Sequence, residues 1–282
     1  MKELKEVHNL AVRFSQIPSI RFQTQTVRTV LFLFAFLLCA AISSAHDPGS
    51  SENDIYLKNS AIIKEVHARG GLVFAVPPYW GPMQTQIGFE QLAGYLGEVT
   101  GKEVRLVVLK DHEAMITRTV AGEVDLGFYG SSVYITTKEK YPGLRYLGSS
   151  IWKKTGKSSY YSYLITRKGS GLLSLAGLKE KSFAFGSRES TGGYKYPRAW
   201  MKENGLEPKK YFKSVRFLER HDIVLSAIAE GRVDAGVVSP GTLDKATEKY
   251  GDIYNRIHKF GPIPSSLLSA GHTLPLETAR KI

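Results

Sequence analysis

Ser190-Thr191-Gly192-Gly193, between the apolar run Phe183-Ala-Phe185 and Tyr194-Lys-Tyr-Pro-Arg-Ala-Trp200, has the composition of an anion-binding turn. The order predicts a buried strand, a small polar loop and a helix ending at Asn204-Gly205. Ser190 and Thr191 stand at the helix N-cap, where the first backbone N–H groups have no intrahelical partner. Gly192 and Gly193 carry no Cβ, so a ligand can approach those groups closely. Unpaired donors and the positive end of the helix dipole both favour an anion. An ordinary capped helix is the other reading of this segment. No Lys-Ser or Lys-Thr pair follows the glycines, and the G-x-G-x-x-G spacing is absent, which excludes the common nucleotide loops.

Two histidines stand in a repeat. Val104-Arg-Leu-Val-Val108 leads to His112-Glu113, a helical stretch and Gly122-Glu-Val-Asp125-Leu-Gly127. Val215-Arg-Phe-Leu218 leads to His221-Asp222, a second helical stretch and Gly231-Arg-Val-Asp234-Ala-Gly236. In both copies the His precedes the glycine by 10 residues and the aspartate by 13. The repeat predicts two α/β lobes, with His112 and His221 at equivalent strand-to-helix turns. In open α/β sheets ligands bind beyond the carboxyl ends of the strands, where such turns lie. Two facing edges make a cleft, which Tyr79, Trp80, Tyr129 and Tyr160 would wall unless they belong to the core. A protonated His donates two hydrogen bonds rather than one, so affinity for an anion should strengthen below about pH 6.5. Asp125 and Asp234 match as a pair, either as catalytic carboxylates or as acceptors for backbone N–H groups at a strand start; the second is the expectation.

The elements that position these groups follow from the rest of the chain. Gly71-Leu-Val-Phe-Ala-Val76 is the first buried strand and ends in the aromatic turn Pro77-Pro-Tyr-Trp-Gly-Pro82; a helix follows over 89–99. Tyr160 to Thr166 is β-rich and crosses into the second lobe, and the chain returns through Tyr254 to Ile263. Lobe 1 is expected to comprise 71–162 plus 243–282 and lobe 2 163–242, joined at Thr166 and near Val238, with a hinge. The last eight residues begin a helix and stop, as expected of a chain lacking its final helices.

The first 45 residues differ in kind. Five basic residues precede the 13-residue apolar run Val30–Ile42, and Ser43-Ser-Ala45 supplies small residues for cleavage. This is the layout of a secretory signal peptide, and the run is short for a membrane span. Cys39 follows the bulky Leu38, so lipid attachment is not expected. No cysteine follows Ala45, which excludes disulfides, thiolate metal sites and a Cys nucleophile from the mature chain. Loss of five basic and two acidic residues lowers the net charge from +12 to +9, which suits an anionic ligand. No basic tract with interleaved aromatics supports nucleic-acid binding. No G-x-S-x-G elbow or H-E-x-x-H cluster supports an enzyme.

The S-T-G-G loop at Ser190–Gly193, Y-x-x-P-R at Tyr194–Arg198, the H-D turn at His221 and G-x-V-D-A-G at Gly231–Gly236 together resemble the periplasmic substrate-binding proteins of phosphate, phosphite and phosphonate ABC transporters. The resemblance covers about Leu72 to Leu268. It implies a two-lobe α/β fold, of the type II-like periplasmic-binding-protein kind, closing on a small phosphorus oxyanion. It further implies a periplasmic monomer without a cofactor, with an ABC permease and ATPase as partners. The family's oxyanion contacts fall on Ser190, Thr191, Gly192, His221 and Tyr160, with His112 where the family has a Tyr. Its amine-holding carboxylates fall on Gly241 and Ser266, so an amine-free ligand is expected. A sensor module reporting the same anion to a membrane histidine kinase is the alternative.

Overall fold

The structure, a computed structural model, describes residues 52–282. The expected signal peptide and Cys39 lie outside the described residues. The chain runs α1 (Glu52–Ala68), β1 (Leu72–Val76), α2 (Pro82–Thr100), β2 (Val104–Val108), α3 (His112–Val120), β3 (Leu126–Tyr129), α4 (Ser131–Lys140) and β4 (Arg145–Ser149). It continues with β5 (Ser159–Arg167), β6 (Ser182–Phe185), a π-helical turn (Thr191–Lys195), α5 (Tyr196–Glu203), α6 (Pro208–Tyr211), β7 (Ser214–Phe217) and α7 (His221–Ala229). β8 (Ala235–Val238), α8 (Pro240–Tyr250), β9 (Tyr254–Pro264), β10 (Leu267–Ala270) and α9 (Leu276–Ala279) complete it.

Two five-stranded sheets have the orders β2-β1-β3-β10-β4 and β7-β6-β8-β5-β9. In each, the first three strands are parallel and the fourth is antiparallel to the third. The sequence repeat is therefore a topological repeat, β1-α2-β2-α3-β3 matching β6-α5-β7-α7-β8. β1 is buried at every position, as an apolar strand covered on both faces must be. Helix α2 starts earlier than its apolar spacing suggests because Pro82 takes a position in its first turn, where a missing N–H costs nothing. It ends at Gly101, whose φ of 66° lets its N–H bond the carbonyl of Gly97.

The expected junctions are corrected. β5 pairs with β9 from Ser159 opposite Pro264 to Arg167 opposite Tyr254, and with β8 from Tyr163 to Thr166. Both crossing strands thus belong to the second sheet over their full length. Leu243 and Ala246 of α8 pack with Val224, Leu225, Ile228 and Val238, so this helix covers lobe 2 rather than lobe 1. The chain leaves lobe 1 between Ser149 and Ser159 and re-enters it between Pro264 and Leu267.

Asp125 and Asp234 are structural. The Asp125 carboxylate accepts the Val73 N–H at 2.8 Å and the Thr273 hydroxyl at 2.7 Å, and lies 2.8 Å from His67 Nε2. Asp234 accepts the Ser182 N–H at 2.8 Å and its hydroxyl at 2.6 Å. Each pins the start of β1 or β6 to the strand that follows the repeat helix.

Candidate functional site

The π-helical turn and helices α3, α4 and α7 all start where a parallel strand ends, and their N-termini meet at one place. At the loop after β6, Ser190 is the N-cap: its hydroxyl accepts the Gly193 N–H at 3.0 Å. The next residues wind as a π-turn, with Tyr194 and Lys195 both donating to the Ser190 carbonyl. Such turns are rare and recur at functional sites. Across the cleft, α4 begins at Ser131 after Gly130. The Ser132 N–H donates to Thr191 Oγ1 at 2.9 Å, and the Ser132 hydroxyl lies 2.9 Å from the same atom while donating to the Glu189 carbonyl. A second bridge joins His112 Nδ1 to the Ser187 hydroxyl at 3.0 Å. Lys245 of α8 lies over the Trp80 ring, 3.8 Å from its centre. The lobes are closed on each other.

Between them is a cavity of about 310 Å³ whose lining includes Tyr79, His112, Tyr160, Ser190, Thr191 and His221. Gly192 and Gly193 are buried beside it. A Cβ on Gly192 would stand 2.5 Å from the Tyr160 hydroxyl, and one on Gly193 would stand 2.9 Å from His221 Cε1. The Gly192 N–H is the hydrogen-bond partner of the Tyr160 hydroxyl. At the other end are Trp80, Trp152, Phe89 and Phe128, with Gly241 between the two indoles. A hollow of about 340 Å³ on lobe 1, between α1 and α3, is lined by Asp111 and Glu113 as well as by cations. Its carboxylates disfavour an anion.

Burial governs the ionisation of the cleft. It lowers His221 to about 4, against a hydrogen bond to the Val237 carbonyl and the charge of Asp222. It lowers His112 to about 4 as well, helped by His221 and opposed by Asp111. Both rings are neutral at neutral pH, so the titration expected near pH 6.5 does not belong to the free protein. Burial raises the Tyr79 and Tyr160 phenols, which stay protonated and able to donate. Among the described residues no group of His, Cys, Asp and Glu could hold a metal ion.

A sequence profile of the family described as the periplasmic substrate-binding proteins of phosphonate ABC transporters matches residues 74–282. The chain belongs to that family. The phosphate-import protein PhnD of Mycolicibacterium smegmatis is 27% identical over 225 residues, which are 75% of this chain and 69% of that protein. A binding-protein component of a Pseudomonas aeruginosa phosphonate transporter superposes with a TM-score of 0.68 at 22% identity, over 74% of this chain and 71% of that one. PhnD1 of Prochlorococcus marinus in complex with methylphosphonate gives 0.67 at 19% identity, over 74% of this chain and 81% of that one. At such identities the structural likeness is one of fold. The phosphonate-binding family is a transporter's binding component, which does not favour the sensor reading.

Within this phosphonate-binding fold, Tyr129 is a correction. It is fully buried in the core of lobe 1, its hydroxyl 2.8 Å from that of Thr119. Successive strand residues point to opposite faces, so it is Phe128, one residue earlier, that lines the cavity. Ser131 and Ser132 were not singled out from the sequence. The signal was there: a G-x-V-D-x-G strand runs into small hydroxyl residues at Ser131-Ser132, as its copy runs into Ser239, which caps α8. Glu219 was missed too. It lines the cavity with φ 61°, a left-handed conformation costly for a residue with a Cβ.

Proposed function

We propose that this protein is the solute-binding component of an ABC importer and captures a small, amine-free phosphorus oxyanion between its lobes. The observation that carries the reading is the meeting of two helix N-termini, at Ser132 and at Ser190–Gly193, around the single oxygen of Thr191. Two positive dipole ends pressed together in a buried cleft call for an anion. Thr191, Ser190, the Gly192 N–H and Tyr160 act as donors to its oxygens, and His221 closes the site from below.

Charge-assisted hydrogen bonds contribute about 1.5–3 kcal/mol each, whereas micromolar binding needs about 8 kcal/mol beyond the cost of immobilisation. The loop alone does not reach this; donors from both lobes do. Closure is therefore coupled to binding, with the connections at 150–158 and 265–266 as the hinge. The substituent on phosphorus lies toward Trp80 and Trp152. Gly241 and Ser266 offer it no charge; the one carboxylate residue in the lining, Glu219, has its ionisation opposed by burial and by Asp111 and favoured by Arg188. Residues 1–45 act as an export signal, and the closed monomer delivers its ligand to a permease and ATPase pair at the membrane.

Calorimetry against phosphate, phosphite, methylphosphonate and aminoethylphosphonate tests this. At least one amine-free ligand is expected to bind with micromolar or tighter affinity, with aminoethylphosphonate the weakest phosphonate. Tightest binding of aminoethylphosphonate would overturn the assignment.

A further inference from the structure

The cavity is larger than a phosphorus oxyanion needs. Its volume of about 310 Å³ lies at the lower end of sites for organic ligands, about 300–1,000 Å³. It corresponds to roughly ten waters at about 30 Å³ each, whereas methylphosphonate takes the space of roughly four. The surplus persists although Thr191 meets Ser132 and His112 meets Ser187 across the cleft, so it is not a gap awaiting closure.

The surplus lies at the aromatic end, between two indoles that are held in place. Trp80, in the turn after β1, is fixed by α2: its ring stacks on Phe89 at 6.1 Å and 26°, and a Cβ on Gly88 would stand 2.9 Å from it. Trp152 sits in a built turn between β4 and β5. Its N–H donates to the Lys157 carbonyl at 2.9 Å, its carbonyl accepts the Gly156 N–H at 2.8 Å, and its ring centre is 5.8 Å from that of Tyr160. Gly241, in the first turn of α8, leaves the space between them free. A Cβ there would stand 3.7 Å from Trp152 Cη2 and 3.9 Å from Trp80 Nε1. The slot reaches solvent where Ile151, 45% exposed, and Lys153 line the cavity.

We propose that this slot receives the substituent on phosphorus, and that the ligand is a phosphonate carrying a bulky, uncharged apolar or aromatic group. Water fills such a space poorly, because a buried water needs about two to four polar partners, and an empty apolar void forfeits dispersion contacts. An apolar group between two held indoles gains those contacts at little ordering cost to the protein. Aromatic faces also attract cations, but the Lys245 ammonium already lies 3.8 Å from the centre of the Trp80 ring. Of the charged side chains in the lining, Arg220 is paired with Asp222 at 2.9 Å, and Lys153 is opposite in sign to Glu219. The balance is against a cationic tail. The inference rests on the oxyanion site proposed above and names what that site's ligand carries on phosphorus.

The test is titration calorimetry with methyl-, ethyl-, propyl- and phenylphosphonate and with phosphocholine. Each added methylene should tighten binding about threefold to fourfold, and phenylphosphonate should bind at least about tenfold tighter than methylphosphonate. In Gly241→Ala the new methyl meets both indoles at ordinary contact distance, so the protein folds, and the preference for phenylphosphonate over methylphosphonate should fall about fivefold or more. In Gly241→Leu that preference should be lost; if the leucine variant does not fold, the alanine variant decides. Methylphosphonate binding with no gain along the series, tighter binding of phosphocholine than of phenylphosphonate, or an unchanged preference in Gly241→Ala overturns the inference and leaves the oxyanion site standing. Failure of every phosphorus ligand to bind removes the site itself.

Discussion

Gly192→Ala should weaken oxyanion binding by on the order of a hundredfold while the protein still folds. The backbone at this position lies outside the left-handed region, so alanine meets no conformational penalty. What it meets is the Tyr160 side chain: the new Cβ would stand 2.5 Å from the hydroxyl and about as close as contact allows, 3.0–3.1 Å, from two ring carbons. Tyr160 has to swing away, and its hydroxyl leaves both the Gly192 N–H and the place proposed for the ligand's oxygen. Loss of one charge-assisted donor and displacement of its neighbour amount to about 2–3 kcal/mol. Calorimetry gives the affinity, and an unchanged melting temperature shows that the effect is local. Binding within threefold of the parent would mean that Tyr160 is no part of the site.

Thr191→Val is the complementary change, since it keeps the shape and removes the oxygen. Thr191 Oγ1 bridges the lobes through Ser132 and, in the proposed site, is a donor to the ligand. Its removal leaves the Ser132 N–H without this acceptor and the anion without a donor. Affinity should fall about ten- to a hundredfold, or about 1.5–3 kcal/mol. The dissociation rate should rise more than the association rate falls, because the contact forms on closure. Ligand affinity equal to the parent's would remove Thr191 from the binding residues.

The sequence repeat made much of this legible. A shared spacing from His112 to Asp125 and from His221 to Asp234 fixes which turn follows which strand, and both histidines indeed open a helix on the cavity. The loop at Ser190 was legible because capping is local chemistry. Lobe boundaries were not, since the β-rich run Tyr160–Thr166 says that a strand is there but not whose sheet it joins. That depends on pairing with Val238 and Pro264, far along the chain. Tyr129 failed by the parity of one residue, because a strand of four residues with burial on both sides carries no alternation to read. The ionisation of the histidines was out of reach for a different reason: desolvation is a property of the closed cleft, not of the turn.

The most direct measurement is a crystal structure with methylphosphonate bound. The account predicts the phosphorus in the interlobe cavity, with phosphonate oxygens within about 3.2 Å of Thr191 Oγ1, the Gly192 nitrogen and the Tyr160 hydroxyl, and the methyl group toward Trp80 and Trp152. Phosphonate held away from the Ser190–Gly193 loop, or bound in the hollow between α1 and α3 instead, would contradict it.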